Sequence, residues 1–117
     1  MNYTIERRDN IVIFTVKNTN LDTAVSPQFK AEILIVAQPN IDALILDLTN
    51  VEYVDSSGLG AMLLAHRQLV DHEIPVVLVG VQATVMKMLE ISHLRDIFEY
   101  FDTIDEAVEA LNSEENV

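Results

Sequence analysis

The chain has 117 residues, with seven Lys and Arg against nineteen Asp and Glu, a formal charge of −12, and 50% of it is apolar. That length fits one domain, the apolar content argues against global disorder, and the negative charge disfavours nucleic acid and anionic membranes as partners. With no cysteine, the chain has no disulfide, thiolate nucleophile or cysteine zinc site, which fits a reducing cytosol.

Tyr3 to Arg8 and Ile11 to Val16 read as strands, and Asp9-Asn10 between them as the turn of a hairpin. The second is apolar on both faces, as in a central strand. After the polar, turn-rich segment 18–22, Ser26-Pro27 marks a helix start, with Ser26 as cap and Pro27 at the first helical position. Phe29, Ile33, Val36 and Ala37 follow at helical spacing. Leu34 and Ile35 widen that stripe and predict a helix with little free surface. Pro39-Asn40 ends it.

Ala43 to Leu48 reads as a buried strand and residues 49–54 as a connection. Asp55-Ser56-Ser57-Gly58 opens a second helix with Leu59, Met62, Leu63, His66, Leu69 and Val70 toward the core. His66 reads as a histidine at the core edge, and His72 as solvated. Ile74 to Val79 is a further buried strand, Gln82 to Ile91 a helix, and Ile97 to Phe101 a last strand. Thr103-Ile104-Asp105-Glu106 matches a capping box, before a helix with Ile104, Ala107, Val108 and Leu111 inward. The order is β-β-α-β-α-β-α-β-α. It predicts a single α/β domain over residues 1–112: an N-terminal antiparallel hairpin, then parallel βαβ units, in a mixed sheet packed with about four helices. Residues 113–117 read as a polar tail that frays.

No apolar run approaches the roughly 18–20 residues that cross a bilayer, and the first residues lack the apolar stretch of a signal peptide. A cytoplasmic protein is the expectation. Eight of the nineteen acids follow Arg95, the last basic residue. They read as a solvated helix face and tail; the alternative is an acidic docking face.

Enzyme signatures are missing. The histidines at 66, 72 and 93 form no helical metal pair. Three glycines cannot build a phosphate loop, and neither Ser56 nor Ser57 lies in Gly-x-Ser-x-Gly. The expectation is a non-enzyme without cofactor or metal. Two hydroxyls and a carboxylate do lie where a strand-like segment turns into a helix. One reading is structural: Asp55 or a serine caps the helix, and the glycines ease the turn. The other is functional: the open first-turn N–H groups and the positive dipole end suit a phosphate carried on a hydroxyl, with no change of fold.

Asp55-Ser56-Ser57-Gly58-Leu59-Gly60, preceded by Asp47-Leu48-Thr49-Asn50-Val51, closely resembles the STAS domain of bacterial anti-sigma-factor antagonists. Leu21-Asp22, Ile74 to Val79 and Met88-Leu89-Glu90-Ile91-Ser92 with Leu94 extend the resemblance over nearly the whole chain. The resemblance implies a switch. An unphosphorylated antagonist binds an anti-sigma factor that is also a serine kinase, and so frees the sigma factor. The kinase phosphorylates the serine after the motif aspartate, and a metal-dependent Ser/Thr phosphatase reverses this. Carried over, the acceptor is Ser56, with Ser57 as second choice. The partner surface comprises Asp22, Asp55, Ser56, Ser57, Gly58, Leu59 and Gly60. A scaffold subunit of a lipid-transport ABC or signalling complex is the alternative role. The chain departs from the pattern at Thr19-Asn20, at Asp71-His72-Glu73 in place of a Gly pair, and at His93 in place of Gly.

Overall fold

A computed structural model describes residues 1–115. Strands β1 (Tyr3–Arg8) and β2 (Ile11–Val16) form the hairpin, and Asp9 takes the left-handed φ of 53° that reverses the chain. Strands β4 (Ala43–Asp47), β6 (Val76–Val79) and β7 (Glu99–Phe101) then add in parallel, giving the order β1-β2-β4-β6-β7. The mixed α/β architecture is the one expected from sequence. A second sheet was not expected: two-residue strands β3 (Asn20–Leu21) and β5 (Tyr53–Val54) pair in parallel within segments read as connections.

The central strands are buried on both faces, so their residues alternate between two cores. Val12, Phe14, Leu44, Leu46 and Leu78 face three helices: α1 (Ser26–Val36), α2 (Ser56–Leu69) and α3 (Ala83–Ile91). Ile11, Ile13, Ile45, Val77 and Val79 face Ala107 and Leu111 of α4 (Ile104–Glu115). Thr103 caps α4 by accepting the Glu106 N–H at 3.1 Å. Helix α4 extends past residue 112, so the backbone of residues 113–115 is helical. Residues 116 and 117 lie outside the described residues.

Three local expectations are corrected. Ser26 does not cap α1. Its neighbour Val25 holds that position with helical φ, and Ser26 is the first helical residue, with its hydroxyl turned to the Asp22 carbonyl. Leu34 and Ile35 are 47% and 67% exposed, because α1 packs on one side only, through Phe29 and Ile33. Val70 is exposed in the short 3-10 turn that follows α2.

Glu73 (φ 58°) and His93 (φ 59°) are left-handed. Both stand where the resembled pattern carries glycine, and a side chain there costs about 1 kcal/mol or more. His93 ends α3 in a Schellman arrangement: its N–H donates to Glu90 at 3.1 Å, and the Leu94 N–H to Leu89 at 2.9 Å. His66 lies edge-to-face on Phe98, with centroids 6.3 Å apart, as a core-edge histidine should.

Candidate functional site

The small β3/β5 ladder builds the site. It registers Leu21 against Val54, and the Asp55 N–H donates to the Leu21 carbonyl at 3.1 Å. Asp22 and Asp55 therefore follow two paired strands, side by side. Asp22 shapes the turn into α1. Its carboxylate accepts the Ala24 N–H at 3.0 Å, and its carbonyl accepts the N–H groups of Val25 and Ser26 at 3.1 and 2.8 Å.

Asp55 is the N-cap of α2. A single carboxylate oxygen accepts the Ser57 N–H at 2.9 Å, the Gly58 N–H at 3.1 Å and the Ser57 hydroxyl at 2.6 Å. These donors, the Ser57 hydroxyl first and the Gly58 N–H next, hold Asp55 below the ordinary carboxylate range. The structural reading of the motif thus holds for Asp55. It also corrects the expectation of open first-turn donors, since the carboxylate already occupies those of Ser57 and Gly58.

The pH dependence follows in sign. The folded-state pKa of Asp55 lies below its unfolded value, so its stabilisation is complete above the unfolded value. It is lost as pH falls through the folded one. Thermal melts of the wild type and Asp55→Asn, compared below about pH 4, should show the wild type losing more of its stability. Parallel curves would mean that the carboxylate charge does not matter to the cap.

The two serines differ sharply. Ser57 is half-buried in a chain of oxygens. Its hydroxyl is 2.6 Å from Asp55 and 3.0 Å from the Ser26 hydroxyl, which donates to the Asp22 carbonyl at 2.7 Å. Two hydroxyl protons serve three contacts between two pure acceptors. The short links are the donations to the Asp22 carbonyl and to Asp55, and either hydroxyl can donate across the 3.0 Å contact between them. Ser56, the first residue of α2, is exposed, and its hydroxyl has no partner among the described residues. Gly58 and Leu59 are buried beneath this corner, and Gly60 is half-buried on the next turn. The structure therefore gathers all seven residues singled out from sequence.

Sequence reasoning missed Ser26 and Lys30, which flank the corner from α1. Ser26 is only 2% exposed. Its four-residue spacing from Asp22 was the available signal, and the Ser-Pro cap reading masked it. The acids after Arg95 stand elsewhere. Asp96, Glu99, Asp102, Asp105, Glu106 and Glu109 are exposed around β7 and α4, and Asp105 pairs with Arg8 at 3.4 Å. Among the described residues no cluster of His, Asp and Glu could hold a metal, and no helix is long and apolar enough to cross a membrane.

The STAS domain family model matches residues 2–107. The anti-sigma-B factor antagonist of Listeria monocytogenes is 32% identical over 103 residues, 85% of this chain and 89% of that protein. Among solved structures, SpoIIAA in its unphosphorylated form superposes with a TM-score of 0.82 at 22% identity, over 96% of this chain and 97% of that one. A sulfate transporter family protein from Wolinella succinogenes reaches 0.80 at 17% identity, over 94% and 91%. Likeness at such identities concerns the fold, which regulators and a transporter-family protein share. The family model and the Listeria relative settle membership: the chain belongs to the STAS domain family, with anti-sigma-factor antagonists among its homologues.

Proposed function

We propose that this chain is an anti-sigma-factor antagonist that works as a phosphorylation-controlled partner switch in the cytoplasm. Unphosphorylated, it binds an anti-sigma factor that is a serine kinase, and the sigma factor is released. Phosphate on Ser56 ends that binding, and a metal-dependent Ser/Thr phosphatase restores it. The chain itself performs no chemistry.

The observation that carries the reading is the contrast between an exposed, unengaged Ser56 and a Ser57 tied to Asp55 and Ser26. A kinase needs a hydroxyl it can reach and deprotonate, and Ser56 offers one. Phosphate adds about −1.5 to −2 charges. Against a total of −12, and with screening over about 8 Å, that charge acts only locally. Asp55 already takes the nearby N–H donors, so the new charge stands on the docking surface beside Asp22 and Asp55. A partner that buries this corner meets an anion it cannot solvate.

The scaffold reading draws on the fold shared with a transporter-family protein. Affinity capture from the native cytosol separates the two. The unmodified chain should recover a kinase-type anti-sigma factor; recovery of a transporter ATPase without a kinase would favour the scaffold.

A further inference from the structure

Lys30 reaches α2 one helical turn after the proposed acceptor. It projects from α1, and its Nζ is 3.9 Å from the point where a Cβ on Gly60 would stand. Gly60 is four residues after Ser56 and three after Ser57, so each serine neighbours it on the helix surface, with about 5–6 Å between the Cβ positions. The ammonium therefore meets α2 at Gly60, one helical turn after the two serines. With Thr23, Ser26, Pro27 and Ser57 it lines a cleft of about 310 Å³ between α1 and α2.

Lys30 is exposed and makes no ion pair among the described residues, in a chain with nineteen acids. The nearby carboxylates are otherwise engaged. Asp22 accepts from Ala24, and Asp55 accepts from the first turn of α2. A phosphate on Ser56 would find those first-turn donors taken and two carboxylates close by. Lys30 offers positive charge there, on a flexible stem with three rotatable donors and no side chain on Gly60 to obstruct it.

We propose that Lys30 is the intramolecular counter-ion of the phosphorylated switch: its ammonium pairs with the phosphate on Ser56 and ties α1 to α2. This rests on Ser56 as the acceptor and adds the residue that holds the modified state. The pair partly neutralises the dianion and stabilises its doubly charged form, through a charge-assisted contact.

The test does not need the kinase. Phosphoserine is installed at position 56 during translation, in the parent, Lys30→Gln and Lys30→Arg backgrounds. The second phosphate pKa, near 6 when unperturbed, is read by phosphorus NMR. Lys30→Gln should raise it by about half a unit or more, Lys30→Arg should keep it near the parent value, and high salt should narrow the difference. Because Lys30 is exposed and unpaired, the unphosphorylated Lys30→Gln protein should melt with the parent, so a shift is not a folding artefact. Equal pKa values in all three backgrounds would overturn the role of Lys30. Phosphate mapped to a residue other than Ser56 after kinase treatment would instead overturn the acceptor, so the two failures are distinguishable.

Discussion

Gly58→Ala should destabilise the protein by about 1–3 kcal/mol, lowering the melting temperature by roughly 4 °C for each kcal/mol lost. A Cβ at this position would stand 2.5 Å from the Leu21 carbonyl oxygen and 2.6 Å from a Val54 methyl. Both distances are far inside van der Waals contact. The carbonyl is backbone, held by the Asp55 N–H, so it cannot rotate away as a flexible side chain could. Relief requires the start of α2 to move off the β3/β5 ladder, which is the contact that sets Asp22 beside Asp55. Gly60→Ala is the control. Its Cβ meets only the Lys30 ammonium, at 3.9 Å, and alanine is the better helix former by up to about 1 kcal/mol. Calorimetry should therefore find one substitution melting below the wild type and the other at or above it. If Gly58→Ala melts with the wild type, the close approach is not what that glycine serves.

The second large effect concerns binding. Ser56→Asp should weaken association with the cognate anti-sigma kinase by about tenfold or more, about 1.4 kcal/mol, whereas Ser56→Ala should stay within about threefold. Ser56 is exposed and unbonded, so neither substitution disturbs a native contact. An acid in the first turn of a helix is favourable for folding, so any loss of affinity belongs to the interface. Aspartate carries one charge and is shorter than phosphoserine, so its effect is a lower bound on that of the phosphate. Titration calorimetry of the three proteins reads the difference directly. Equal affinity of the Asp and Ala variants would count against an electrostatic switch.

Most of the fold was legible because hydrophobic period and buried strands are strong signals. Ile11 to Val16 and Ala43 to Asp47 are apolar on both faces, and they proved to be adjacent parallel strands in the five-stranded sheet. Thr103 caps α4 as its spacing implied, by accepting the Glu106 N–H. What escaped was decided by tertiary contact. Two-residue strands carry no period, so β3 and β5 could not be seen, although their pairing creates the site. Ser26-Pro27 has the chemistry of a cap. The buried hydroxyl found better partners in the Asp22 carbonyl and Ser57, and the helix starts one residue earlier, at Ser26. Leu34 and Ile35 looked inward by composition, but α1 packs against α2 and the sheet on one side only.

The seven candidate residues come together for a different reason. Six of them are contiguous, and local capping geometry holds them together almost regardless of the rest. The resemblance put Ser56 first and Ser57 second, and the hydroxyl geometry supports that order. In the structure Ser57 is spent on Asp55, and Ser56 remains exposed. The reading of −12 narrows in the same way. Of the acids after Arg95, Asp96, Glu99, Asp102, Asp105, Glu106 and Glu109 are exposed around β7 and α4, on elements other than those that form this corner.

The central claim is that Ser56 is the phosphoacceptor of a partner switch. The most direct measurement is to incubate the chain with its cognate kinase and ATP and to locate the phosphate by mass spectrometry. A single phosphate on Ser56, lost in Ser56→Ala, is the predicted result. Absence of phosphate from both Ser56 and Ser57 would contradict the switch, and phosphate on Ser57 alone would contradict the assignment that the hydroxyl geometry supports.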